Sequence, residues 1–136
     1  MNDGSLIESV QAMTVRAQLP EPISFGSWII PDREYALVRV RTHNGVSGFA
    51  YGLTRDGAVV EQIRKSVGPL YVEKSVDAGE ESWELAWRRS PAAHGDGVGL
   101  RALSLVDLAV WDNVARAAGK SIEELLGGGP RPSPVT

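Results

Sequence analysis

The sequence contains no cysteine, so neither a disulfide framework nor a thiolate metal site is available to it. Histidine is scarce as well. His43 lies beside a turn and His94 in a Gly-rich loop, and neither has a second histidine or paired carboxylates at ligand spacing. A metal site within the chain is therefore not expected. There is no run of Lys or Arg, and 14 basic against 17 acidic residues leave a net charge of -3, which argues against a nucleic-acid or anionic-membrane surface. No apolar stretch approaches the roughly 20 residues of a membrane-spanning helix. Met1 to Gln11 lacks the charged and apolar regions of a secretion signal. These absences point to a cytoplasmic protein whose partners are small molecules or other proteins.

What is present is an ordinary globular composition, 43% hydrophobic and 23% charged over 136 residues, which suits one domain with a real core. Ile7 to Leu19 reads as a strand with Met13, Val15, Ala17 and Leu19 on one face. Pro20 to Arg33 has no clear period and reads as a loop, ended and entered by prolines. Yet it carries Ile23, Phe25, Trp28, Ile29 and Ile30, more apolar surface than a connection leaves wet without a reason. Tyr35 to Thr42 and Val46 to Tyr51 form a hairpin with Asn44-Gly45 at the two central turn positions. Counting outward pairs Val40 with Phe49 and Val38 with Tyr51 on the buried face and turns Arg39 and Arg41 to solvent. Tyr51 runs out into Gly52-Leu53-Thr54-Arg55, which leaves it either a core aromatic or a ligand contact.

From Asp56 a helix follows, with Val59, Val60, Ile63 and Val67 on one face and Gly68-Pro69 as its stop. Asp77 caps a second helix ending at Arg89, in which Trp83 and Trp87, four apart, make a core pair. The long pattern from Gly99 to Gly129 organises the rest. At about 100° per residue, Leu103, Val106, Val110, Trp111, Val114, Ala117 and Ala118 form a continuous apolar arc. Gly119 follows as a left-handed cap, and Ser121 caps a short helix, Ile122 to Leu126. Asp107 falls inside the arc. It is either a ligand-facing acid or, as the structural reading favours, a carboxylate that ties down backbone N-H groups of a neighbouring loop. Asp112 and Arg116 read as a surface pair. The Gly95 to Gly99 glycines and the Gly119-Lys120-Ser121 triplet imitate nucleotide loops but lack the preceding strand.

Ala102-Leu-Ser104, Val106-Asp107, Ala109, Trp111-Asp112, Ala115-Arg116, Gly119, Ser121-Ile122 and Leu125-Leu126-Gly127-Gly128 resemble the signature helix of the mandelate racemase and muconate lactonizing enzyme family of the enolase superfamily. Leu105, Val110 and Asn113 depart from the family's usual residues. The strands and helices alone indicate an α+β domain, a three-stranded antiparallel meander followed by a helical layer. The resemblance implies the same fold, an N-terminal capping domain over residues 1–128, with 129–136 a linker into a (β/α)₈ barrel that is absent from this chain.

The resemblance further implies a role in an Mg²⁺-dependent enzyme that removes a proton α to a carboxylate. Acid-sugar dehydration is favoured over racemisation, epimerisation or cycloisomerisation, and a stand-alone binding or assembly module is the alternative. Mg²⁺ would belong to the complete enzyme and not to this chain, which alone would be inactive. The small carboxylate substrate would be met through the barrel, and the complete enzyme would be a homo-oligomer. In such enzymes the cap closes the site with two loops, which places Phe25, Trp28, Ile29, Tyr51 and Arg55 as specificity residues. Asp107, Trp111, Gly119, Gly127 and Gly128 are expected to be structural.

Overall fold

The chain builds its sheet first. In the computed structural model, which describes residues 3–89 and 97–129, strands β1 (Ile7–Phe25), β2 (Trp28–Thr42) and β3 (Ser47–Leu53) pair antiparallel in that order. The meander carries its helices on one face, the α+β arrangement that the sequence indicates, and no barrel occurs among the described residues.

Two local readings are corrected. The segment 20–33 is not a loop: Ile23 pairs with Ile30 and Phe25 with Trp28, so β1 and β2 run out as a ribbon to a turn at Gly26-Ser27. The prolines survive because the register shifts between Gln18 and Ile23; residues 19–22 bulge out opposite Pro31 and need no ladder donor. At the other end, Arg41 pairs with Ser47 and Val40 with Gly48. His43-Asn44-Gly45 is thus a three-residue connection with Gly45 at φ 88°, not the two-residue turn expected. The extra residue is held by Asn44, whose Oδ1 accepts from the Thr42 hydroxyl at 2.6 Å and from the Val46 N-H at 3.1 Å. One residue of register exchanges the faces of a strand. Val38 therefore faces Ala50, Leu37 faces Tyr51, and Phe49 and Tyr51 lie on the outer face instead of in the core.

The inner face, with Ala12, Ala36, Val38 and Val40 buried, is covered by helices. α1 (Val59–Gln62) runs through a π turn, Ile63–Val67, into α2 (Gly68–Tyr71). Gly68-Pro69 does not stop the helix, because Pro69 falls in the first turn of a new segment, where its missing N-H costs no bond. Ser75, not Asp77, makes the next cap, its hydroxyl accepting from Asp77 N-H at 3.2 Å. A 3₁₀ turn, Val76–Ala78, leads to α3 (Gly79–Arg89), in which Trp83 and Trp87 stack at 5.3 Å against the core.

α4 (Gly97–Ala117) crosses the sheet and buries Ala102, Leu103, Leu105, Val106, Ala109, Val110 and Asn113. Its buried face is rotated from the expected arc: Ala117 and Ala118 are exposed, and Trp111 is 37% exposed. The rotation is fixed by Gly48, whose missing Cβ would collide with the Ala109 carbonyl and the Asn113 amide. That contact puts Ala109 and Asn113 nearest the sheet and Trp111 about 200° round the wheel. Asn113, a departure from the family pattern, is buried and donates to the carbonyls of Val46 at 2.9 Å and Val40 at 3.3 Å. Asp112 is more than a surface charge: its Oδ2 accepts from Phe49 N-H at 2.8 Å as well as pairing with Arg116 at 2.6 Å.

Gly119 (φ 64°) ends α4 with Lys120 N-H donating to Ala115 O at 2.9 Å. Ser121 and Glu124 then form a reciprocal capping box around α5 (Ile122–Leu125). The exit repeats the device: Gly127 has φ 84°, and Gly128 N-H donates to Glu123 O at 2.8 Å. At Gly128 a Cβ would press on Glu123, at 2.7 Å from its Cγ. Asp107 is half-buried, but no donor meets its carboxylate among the described residues, so the tie to a neighbouring loop is not made there. Burial alone pushes its pKa up. Beside it the buried Tyr71 hydroxyl also lacks a partner among the described residues, and burial, then the Asp107 charge, push its ionisation up. His94 and the Gly-rich loop around it, with 130–136 of the expected linker, lie outside the described residues.

Candidate functional site

Where β3 ends, the β1–β2 ribbon continues, and the overhang and the 53–56 connection together line an open cleft of about 800 Å³. Phe25, Trp28 and Ile29 supply its apolar wall, and Arg55 and Asp56 its opposite lip. Phe25 is 62% and Trp28 65% exposed, aromatic area that the described chain leaves open.

The cleft is pinned at its root by a polar chain. Glu34 accepts from Arg16 at 3.1 Å and, through its other oxygen, from the buried Thr54 hydroxyl at 2.8 Å. Thr54 N-H donates to Glu34 O at 3.0 Å, and Arg101 of α4 donates to Thr54 O at 2.8 Å. The Thr54 hydroxyl first, and then Arg16, hold Glu34 below the usual carboxylate range; the Glu34 hydrogen bond and the Asp32 charge raise Arg16. Beyond Thr54 the backbone is strained, with Arg55 at φ 49° and Asp56 at φ 60°, a conformation that costs a side chain of order 1 kcal/mol or more per residue.

Of the expected specificity residues, Phe25, Trp28, Ile29 and Arg55 line this one cleft. Tyr51 does not. The register shift places it on the outer sheet face, 71% exposed, edge-on to Tyr35 at 6.1 Å. The reading from sequence missed Arg16, Asp32, Arg33, Glu34 and Thr54, all of which border the cleft. The signal was the pairing of Ile23 and Phe25 with Ile30 and Trp28 across Gly26-Ser27, hidden by the prolines. Among the described residues no three Asp, Glu or His side chains come together as a metal site. The donor set of the described cleft does not fit Mg²⁺.

A family model for the mandelate racemase / muconate lactonizing enzyme N-terminal domain matches residues 7–127. The chain belongs to this family. Among its relatives, a D-galactonate dehydratase family member of Pseudarthrobacter chlorophenolicus is 31% identical over 74% of this chain and 25% of its own length. A D-mannonate dehydratase of Caulobacter sp. strain K31 is 32% identical over the same shares, 74% and 25%. A solved enolase from Bradyrhizobium, complexed with magnesium and mandelic acid, superposes with TM-score 0.86 at 25% identity, covering 97% of this chain and 37% of that one. The chain thus spans about a quarter of the length of these curated relatives. Among the described residues no helix is long and apolar enough to cross a membrane.

Proposed function

We propose that residues 1–128 of this mandelate racemase/muconate lactonizing-type chain act as the capping domain of a Mg²⁺-dependent acid-sugar dehydratase, with 129–136 leading into the catalytic barrel. The observation that carries the reading is the cleft itself, in which an open aromatic wall faces a ring of paired and unpaired charges. Arg16, Arg33 and Arg55 balance Asp32, Glu34 and Asp56, so the lining offers donors and acceptors without net charge. Such a lining suits the neutral hydroxylated end of a small acid. The dehydratase relatives support the same class.

In this reading the proton is removed elsewhere in the complete enzyme, where Mg²⁺ supplies charge stabilisation for the substrate carboxylate. The cap's own residues bind, orient and exclude water: Trp28 and Phe25 cover the carbon skeleton, and Arg55 and Asp56 meet hydroxyls. Closing such a wall over the substrate affects specificity and turnover together.

The test is the full-length polypeptide assayed on a panel of aldonic and aldaric acids, with 2-keto-3-deoxy products measured by NMR. Trp28→Ala is expected to change kcat/KM by roughly tenfold or more with altered preference among the acids, at nearly unchanged melting temperature. No dehydration of any acid, or a lower melting temperature with unchanged preference, removes the reading.

A further inference from the structure

The first turns of α4 lie beneath the end of β3 and the connection that follows it. Leu105 packs under Gly52, where a Cβ would come within 3.1 Å of its Cδ2, and Val98 packs under Gly57, where a Cβ would come within 2.8 Å of its Cγ2. Between them on the helix stands Arg101. Spaced by three and four residues, the three side chains share one helical stripe, and the chain from Gly52 to Gly57 is laid along it.

At Thr54 the contact is polar. Arg101 is half-buried and meets no carboxylate among the described residues; its Nη1 donates to the Thr54 carbonyl at 2.8 Å. The same carbonyl accepts from the Gly57 N-H at 3.0 Å, which closes a turn over Arg55 and Asp56, both at positive φ. A turn of that hand is ordinarily built from Gly, Asn or Asp, so Arg55 is held in it against its own preference. The fixed ends do the holding. Thr54 is tied to Glu34 on one side and Arg101 on the other, and Gly57 is seated on Val98. Relaxation of the two residues to negative φ would reverse the hand of the turn and redirect both side chains. The charge-assisted bond from Arg101 is the tie from α4 that opposes it.

Thr54, Arg55 and Asp56 line the cleft, and Arg101 does not. We propose that Arg101 is a positioning residue for substrate recognition: through the Thr54 carbonyl it keeps the 54–57 turn left-handed, so that the Arg55 guanidinium and the Asp56 carboxylate are presented together, donor and acceptor, at the lip of the cleft. The inference rests on the capping function proposed above, in which these two side chains meet substrate hydroxyls. A donor and an acceptor held together read configuration, because inverting one hydroxyl-bearing carbon leaves one of them unpaired. Arg101 therefore governs the choice between epimeric acid sugars and not the removal of the proton.

The test uses the full-length polypeptide. Arg101→Met keeps most of the stem and loses the donors, whereas Arg101→Lys keeps a charge and a donor. A further variant places Arg101→Met in an Arg55→Ala, Asp56→Ala background. Crystal structures report φ at residues 55 and 56, and kinetics on the best acid of the panel and on its epimers report the site. Arg101→Met is expected to bring both residues to negative φ, to raise KM for the best acid roughly fivefold or more at nearly unchanged kcat, and to shrink the preference over the epimers. Arg101→Lys should restore each of these in part. In the alanine background Arg101→Met should leave KM where it was, since the groups it positions are gone. Positive φ retained in Arg101→Met overturns the proposal, as does a reversed turn with unchanged KM and preference. A fall in kcat at constant KM that persists in the alanine background also overturns it, because the role is then structural. Should Arg101→Met not fold, Arg101→Gln takes its place in every comparison. Absence of dehydration by the parent polypeptide removes the capping function, and this inference with it, whereas the outcomes above, in a parent that turns over, remove this inference alone.

Discussion

Single atoms weigh on the stability of this domain at two points, with opposite sign. The first is a missing Cβ: Gly48 lets β3 lie against the backbone of α4, and no rotamer removes a collision with a carbonyl and an amide. Gly48→Ala is expected to destabilise the fold by roughly 3 kcal/mol, read as a lower urea midpoint with unchanged slope. The second is an unused hydroxyl. Tyr71 Oη is buried without a partner among the described residues, so its desolvation cost is not repaid in them. Tyr71→Phe should then be neutral or stabilising by up to about 1 kcal/mol in the same measurement. A loss of stability would show that a bond to this hydroxyl is made by residues beyond those described.

At the scale of the element, the 53–56 connection combines a pinned residue with a strained one. Thr54 is buried and bonded on both sides, whereas Arg55 holds a left-handed φ of 49° with an exposed side chain. Arg55→Gly should relieve that strain and raise stability by up to about 1 kcal/mol, while, under the proposed function, changing kcat/KM among acid substrates in the full-length polypeptide. Calorimetry and kinetics on one preparation check both halves.

The same elements show what a sequence can and cannot disclose. α4, its Gly119 cap and the Ser121 start were legible because helix period and cap chemistry are local signals. The overhanging ribbon was not. Its stretch from Ile23 to Ile30 is flanked by Pro20, Pro22 and Pro31, and only the bulge opposite Pro31 reveals that these prolines break no ladder. The faces of Phe49 and Tyr51 depended on whether the Asn44 side chain admits a third residue to the turn, a detail below the reach of spacing. The polar root of the cleft joins Arg16, Glu34, Thr54 and Arg101, residues far apart in the chain that register alone brings together.

For the whole molecule, the perturbed acids set a pH profile. Glu34 is held low by the Thr54 hydroxyl and Arg16, and Glu124 by the backbone N-H and hydroxyl of Ser121. Folded pKa values below the unfolded ones give stability that is complete above the ordinary carboxylate range and is lost as pH falls through the folded values. Asp107 has the opposite sign. Its raised value means that its favourable contribution exists only in acid and is lost as pH rises through the folded value. Denaturation midpoints across the acid-to-neutral range should therefore fall on acidification, with a shallower fall in Glu34→Gln. Asp107→Asn should exceed the parent at neutral pH and converge with it in acid. A constant Asp107→Asn difference at all pH values would show that the carboxylate is charged throughout.

The ribbon beyond Leu53 is a cantilever. From Glu34 to Trp28 it extends about 20 Å past the last residue of the third strand, so a rotation of about 10° at its root carries the tip about 3.5 Å. A two-stranded plate is stiff in its own plane and compliant perpendicular to it, so any displacement of the tip would follow one arc. The root is clamped through Glu34, Thr54 and Arg101 to α4. A load on Trp28 would thus act as torque on the helix that carries the family signature.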